Sequence, residues 1–228
     1  MRLGIVIPAF DEEESVGLVV ERCLSAASPL GSLRVVVCDN GSQDNTASVA
    51  AAAGAEVVRV SSRGYGAACQ GGISWLADWP DLIVFLDADG SSPPEEIPLL
   101  VKEVAGGDVE LAIGCRPESA PMTTPQRWGT QFAVKAVNRI WGSDYSDMGP
   151  FRCIAKQSFD QLGMRDQTWG WTIEMQILAH IRGFRVKEVP VSWEKRMAGV
   201  SKISGTVTGV VRAGFRISWT VLRYLLAS

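Results

Sequence analysis

Leu3-Gly4-Ile5-Val6-Ile7-Pro8-Ala9-Phe10-Asp11-Glu12-Glu13 opens the chain as a short, almost unbroken apolar run that ends in an acidic turn. Val16, Val19, Val20, Cys23, Leu24 and Ala27 then recur at helical spacing, so a buried strand feeds an amphipathic helix. The unit repeats downstream. Leu33 to Cys38 reads as a second strand, and Asp44 caps an alanine-rich helix that Gly54 closes. Glu56 to Val60 is a third strand, Gly66 to Ala77 a third helix, Leu82 to Leu86 a fourth strand, and Pro94 to Val104 a helix with Ile97, Leu100, Val101 and Val104 in phase. Continuous apolar strands alternating with helices predict an α/β fold whose mostly parallel sheet is covered on both faces.

Composition agrees. The 228 residues, 46% hydrophobic and 21% charged, suit one globular domain with a full core. A net charge of −3 argues against a nucleic-acid partner, which usually calls for a basic excess. Five scattered cysteines without a Cys-x-x-Cys read as core residues of a cytosolic protein, not as a disulfide framework or zinc site. No secretory signal opens the chain, and Gly205 to Leu226, its longest apolar stretch, carries Arg212, Arg216 and Arg223. The expectation is a cytoplasmic protein, soluble or peripheral on the cytoplasmic face of a membrane.

In doubly wound sheets ligands bind beyond the carboxyl ends of the strands. Here those ends are acidic: Asp11-Glu12-Glu13, Asp39-Asn40-Gly41-Ser42-Gln43-Asp44 and Asp87-Ala88-Asp89-Gly90. No Gly-x-Gly-x-x-Gly follows the first strand, so a diphosphate at this edge calls for a metal. Asp87 and Asp89 flank one small residue and can offer hard oxygens to Mg2+ or Mn2+, an ion that stabilises a departing nucleoside diphosphate. Taken alone, Asp-x-Asp-Gly is equally a polar turn.

Several motifs together carry a resemblance: Val6-Ile7-Pro8-Ala9-Phe10-Asp11-Glu12-Glu13, Asp39 to Thr46, Arg63-Gly64-Tyr65-Gly66-Ala67-Ala68, Asp87-Ala88-Asp89-Gly90, Gly149-Pro150-Phe151-Arg152, and Arg196-x-x-Gly199-x-Ser201-Lys202. Over roughly residues 1 to 205 the chain resembles the inverting family 2 glycosyltransferases of the GT-A fold, most of all the dolichyl- and polyprenyl-phosphate mannose and glucose synthases. The resemblance implies a metal-dependent transfer of a hexose from a GDP- or UDP-sugar to polyprenyl phosphate. It places Pro8, Phe10, Glu12 and Asp39 in the nucleoside pocket, Asp87 near the ribose and metal, and Asp89 on the metal. Gly64 and Gly66 would let backbone approach the nucleotide.

A phosphate acceptor is already anionic and needs cations, whereas an alcohol needs a general base. The single histidine, His180, lies in a helical stretch and reads as an ordinary core or surface residue. Arg116 and Arg127 are the expected ligands of the acceptor phosphate, and Arg152, Arg196 and Lys202 those of the diphosphate, with Arg196 and Lys202 closing over the donor. Asp147 and Glu174 match acidic positions of the family, and Asp147 is the candidate base for a hydroxyl acceptor. Met148-Gly149-Pro150-Phe151 replaces the Ser-Gly-Phe often found in the synthases, so a soluble hydroxyl acceptor stays open, as does a non-catalytic nucleotide-sugar binding module.

The expected organisation is a catalytic domain over residues 1–204 and an amphipathic helix over 205–228. At 100° per residue Val207, Val211, Gly214, Phe215, Ser218, Leu222, Leu225 and Leu226 share one face, with the three arginines beside it. Such a helix lies on an anionic membrane, packs on the domain, or pairs in a homodimer.

Overall fold

The structure, a computed structural model, describes residues 1–198 and 207–226. Its sheet has seven strands: β1 (Arg2–Ala9), β2 (Ser32–Asp39), β3 (Glu56–Arg59), β4 (Leu82–Phe85), β5 (Leu111–Cys115), β6 (Arg152–Ala155) and β7 (Val186–Pro190). They lie in the order β3-β2-β1-β4-β6-β5-β7, and β6 alone runs against its neighbours.

Strand alternation divides the core in two. Leu3, Ile5 and Ile7 face α1 (Val16–Ala27), α2 (Thr46–Ala52) and α4 (Ile97–Ala105). Val6, Val36 and Cys38 face α3 (Tyr65–Leu76), α5 (Thr124–Trp141), α6 (Lys156–Leu162) and α7 (Trp171–Ile181). Residues one apart in a strand point to opposite faces, so an uninterrupted apolar β1 is what a sheet buried on both sides requires.

Local differences from the sequence reading have local causes. The second helix begins at Thr46 with Asn45 at its N-cap position, because Asp44 Oδ1 accepts the Thr46 amide (3.0 Å) from just outside the helix. Pro94–Glu96 forms a 3-10 turn before α4. A capping box of Thr123 and Gln126 starts α5 at Thr124.

The last helix, α8 (Val207–Leu225), packs on α5 and α7. Ile217, Val221 and Tyr224 face the core, Thr220 Oγ1 donates to Asp166 Oδ2 (3.1 Å), and the Tyr224 hydroxyl donates to Glu174 Oε1 (2.6 Å). Phe215, Leu222, Leu225 and Leu226, which the apolar periodicity groups together, are exposed. The helix is apolar on two sides, and the domain holds the side that also carries Thr220 and Tyr224.

Candidate active site

The carboxyl ends of β1, β2 and β4 lie side by side, with Ala9 in register with Asp39 and Val6 with Phe85. Antiparallel β6 brings its first residue, Arg152, to the same edge opposite Phe85. The first two loops are sewn together. Asp11, a non-glycine residue at φ 51°, donates its amide to Ser42 Oγ (3.0 Å) and accepts the Gln43 amide (2.8 Å). Glu13 accepts from the Asn45 amide (2.8 Å) and side chain (2.9 Å), and its own amide donates to Asp44 (3.2 Å). Asp39 is buried and accepts the Ser42 amide (2.9 Å). Glu12, between Asp11 and Glu13, reaches across the crevice to Arg196.

There Glu12 forms an ion pair with Arg196, whose Nη1 also lies 3.5 Å from Asp89 Oδ2. Asp89 Oδ1 accepts from the Ser91 hydroxyl (2.6 Å) and amide (2.9 Å). Arg196 is held from behind by its Nε donating to Ala198 O (2.7 Å), and Met197 packs over Gly90, whose φ of 75° no side chain would easily share. Asp87 Oδ1 is shut off from solvent and has no hydrogen-bond partner among the described residues. Burial, then the charges of Asp89 and Glu12, push the Asp87 carboxyl up to about 7, with the nearby Tyr65 hydroxyl and Arg196 pulling the other way.

An orphaned buried acceptor two residues from a second hard carboxylate fits a divalent cation. Among the described residues no cluster of three or more His, Cys, Asp or Glu could cage an ion alone. Mg2+ in particular takes one or two carboxylates and completes its shell with substrate phosphates and water.

Gly64 and Gly66 are placed differently from the expectation. A Cβ on Gly64 would collide with Gln167 O, and one on Gly66 with Asp166 O, so the close approach there is by the chain's own 166–168 loop. Between them Tyr65 is half-buried, with its hydroxyl shut off from solvent near Asp87, and Asn40 fixes the loop by accepting the Gly64 amide (2.7 Å) while donating to Val60 O and Ser62 O. Arg63 stacks over Phe10 at 4.9 Å, beside Pro8 at the end of β1.

On the far side Arg116 follows β5. Its Nε and Nη2 grip both oxygens of Asp147 (2.8 and 2.6 Å), and its ring partner is Trp193 at 5.1 Å. Asp147 also accepts the Arg116 and Met148 amides, so its carboxylate takes four hydrogen bonds. Burial raises the Asp147 pKa, but these bonds and the Arg116 charge outweigh it, and the net shift is downward. Arg127 donates to Glu118 O (2.6 Å) and Ala120 O (3.0 Å), pinning the loop that leads from Arg116 into α5.

Arg152 corrects the expectation of a diphosphate contact. It is 1% exposed, and its guanidinium donates inward to Gly149 O (2.8 Å), Thr172 O (2.7 Å) and Gln176 Oε1 (3.1 Å). Burial lowers its pKa to about 10. Gln176 in turn donates to Asp147 O, so Arg152 braces the Asp147 turn from below. Lys202 lies outside the described residues.

The structure thus gathers Glu12, Asp39, Asp87, Asp89 and Arg196 at the strand ends, and sets Arg116 with Asp147 at a neighbouring position. Sequence reasoning missed Asn40, Arg63, Tyr65 and Trp193. Tyr65 had a signal, an aromatic ring between two glycines at a helix start; Trp193 had none, because its partner lies 77 residues earlier.

Three comparisons bear on identity. An uncharacterised glycosyltransferase of Mycobacterium tuberculosis is 35% identical over 92% of this chain and 93% of its own length. An undecaprenyl-phosphate mannosyltransferase of Micrococcus luteus is 31% identical over 98% of both chains, and a polyprenol monophosphomannose synthase of Mycolicibacterium smegmatis is 31% identical over 90% and 82%. Among solved structures, glucosyl-3-phosphoglycerate synthase from M. tuberculosis with Mg2+ and UDP superposes with a TM-score of 0.77 at 19% identity, covering 97% of this chain and 78% of that one, a likeness of fold. The sequence model of glycosyl transferase family 2 matches residues 4–174, and the chain belongs to that family.

Proposed function

We propose that this glycosyltransferase moves a hexose, with inversion, from a GDP- or UDP-sugar to a polyprenyl phosphate at a membrane surface. The observation that carries the acceptor assignment is the state of Asp147. Both its oxygens are engaged by Arg116 and backbone amides, so the acid best placed to deprotonate a hydroxyl is instead a positioning group for a cation. A phosphate oxygen needs no deprotonation and is drawn to such a cation. The names of the two prenyl-phosphate mannosyltransferases similar to this chain support the same acceptor class.

In this reading Pro8, Phe10, Glu12 and Asp39 hold the nucleoside, and Asp39 accepts an N–H of the base. Asp87 and Asp89 hold Mg2+ or Mn2+, which supplies Lewis-acid stabilisation to the leaving diphosphate. Arg196 exchanges Glu12 and Asp89 for diphosphate oxygens, and Lys202 joins it. Arg116, oriented by Asp147 and Trp193, binds the acceptor phosphate, and Arg127 shapes the loop around it.

The test is mass-spectrometric product detection with purified protein, Mn2+, a panel of UDP- and GDP-sugars and a short prenyl phosphate in mild detergent. A glycosyl-phosphoprenol is expected. Nucleoside diphosphate and free sugar without lipid product would overturn the acceptor assignment in favour of a soluble hydroxyl. Metal-dependent donor binding without turnover would reduce the chain to a binding module.

A further inference from the structure

The outer surface of α5 and α8 is unlike the rest of the molecule. Trp128 and Phe132 on α5 are 73% and 67% exposed, and Phe215 and Leu226 on and just beyond α8 are 70% and 79% exposed, with Trp219 and Leu222 half-exposed between them. On α8, Phe215, Trp219, Leu222 and Leu226 fall within about 60° of one another, and on α5 Trp128, Phe132, Lys135 and Arg139 do the same. The two helices pack side by side around an open groove of 230 Å3 lined by Phe132, Ala136, Ile217 and Leu222. A continuous exposed apolar surface of this kind marks an interaction site.

Charge identifies the occupant. In a chain with net charge −3, α5 and α8 carry three cations each, Arg127, Lys135, Arg139 and Arg212, Arg216, Arg223, and neither contains an Asp or Glu. Lys135 and Arg139 continue the outward stripe of Trp128 and Phe132 one turn further, and Arg216 and Arg223 border the α8 stripe, all four exposed. Tryptophan, phenylalanine and leucine ringed by cations match the boundary of an anionic bilayer. A second copy fits poorly, because an isologous pairing would set these cations against themselves. No helix among the described residues is long and apolar enough to cross a membrane, so the contact is with the surface.

We propose that α5 and α8 together form one docking face for an anionic lipid bilayer, with Trp128 and Phe132 of α5 as anchors equal in importance to the α8 stripe. The face begins one residue after Arg127, which pins the loop leading from Arg116. The proposal goes beyond the transfer reaction and stands on the surface alone.

Vesicle flotation of the full chain tests it, using phosphatidylcholine alone and phosphatidylcholine with phosphatidylglycerol, without donor or prenyl phosphate, so that failure here and failure of the acceptor assignment are separable. Binding to the anionic vesicles, weakened by salt, is expected. Trp128→Ala with Phe132→Ala should lower it at least about tenfold. Lys135→Gln with Arg139→Gln, which leaves the apolar surface intact, should lower it about 25-fold, roughly fivefold per cation. No binding to anionic vesicles, or binding unmoved by both pairs of changes, overturns the proposal. So does light scattering that shows a dimer which Trp128→Ala with Phe132→Ala dissociates, since the face would then belong to a second copy.

Discussion

Arg196 and Glu12, 184 residues apart in sequence, meet as an ion pair over the carboxyl ends of β1 and β4, with Asp89 as the second partner of the same guanidinium. Three carboxylates, Glu12, Asp87 and Asp89, interact in this small space, and Arg196 is a cation that offsets them.

With the metal held as proposed, Arg196 would compete with it for Asp89. Arg196→Ala should tighten Mn2+ binding several-fold in the absence of nucleotide, while slowing turnover by about 10- to 100-fold through loss of diphosphate stabilisation. Manganese titration by electron paramagnetic resonance and steady-state kinetics would read the two effects. Weaker metal binding in the variant would refute the competition.

Asp87 makes the metal-free protein sensitive to pH. Its folded-state pKa is raised from 3.8 to about 7, so between those values the folded state holds a proton that the unfolded chain has released. Stability should fall as pH rises across that window, by an amount on the order of a few kcal/mol. Asp87→Asn should flatten the decline, and Mn2+ should reverse it near neutrality in the wild type alone. Thermal melts from pH 4 to pH 8 would show it.

Asp147→Asn weakens the grip on Arg116 without removing its shape. The expected result is an acceptor KM raised about tenfold with turnover within a few-fold of wild type. A fall in turnover by about two orders of magnitude or more, with KM unchanged, would assign Asp147 as a base instead. Because the Asp147 pKa is depressed on folding, its contribution to stability is present above the ordinary carboxylate range and disappears as pH falls through the folded value.

Tyr224→Phe leaves Glu174 Oε1, on a fully buried side chain, without its hydroxyl donor. A destabilisation of about 1–3 kcal/mol is expected, concentrated in α8. Hydrogen exchange across residues 215–225 should accelerate while β1 and β4 stay protected; uniform protection would show that apolar packing alone holds the helix.

Much of this was legible in the sequence because the sheet is periodic. Apolar runs at residues 3–8 and 82–86 fix strands buried on both faces, and the acids that follow them reach the ligand edge by topology alone. Side chains satisfied by distant backbone were not legible. Arg152 reads as an anion ligand after a Gly-Pro-Phe turn, yet its partners are carbonyls and an amide from α7 and its own turn. Gly64 and Gly66 read as room for a nucleotide, yet what a side chain at either would meet is the chain's own 166–168 loop. The outward face of α8 was visible as a stripe, whereas the inward one depends on Asp166 and Glu174, which no local pattern connects to Thr220 and Tyr224.

The stitching of the first two loops by Asp11, Glu13 and Asp44 makes one wall of the crevice a fixed jaw, while the opposite wall meets it through Arg196. For the nucleoside of the proposed donor, that half of the clamp would already be formed, and binding would lose little entropy to loop ordering. Under the proposed function, discrimination between bases falls to the shape of that stitched side, which is set before the donor arrives.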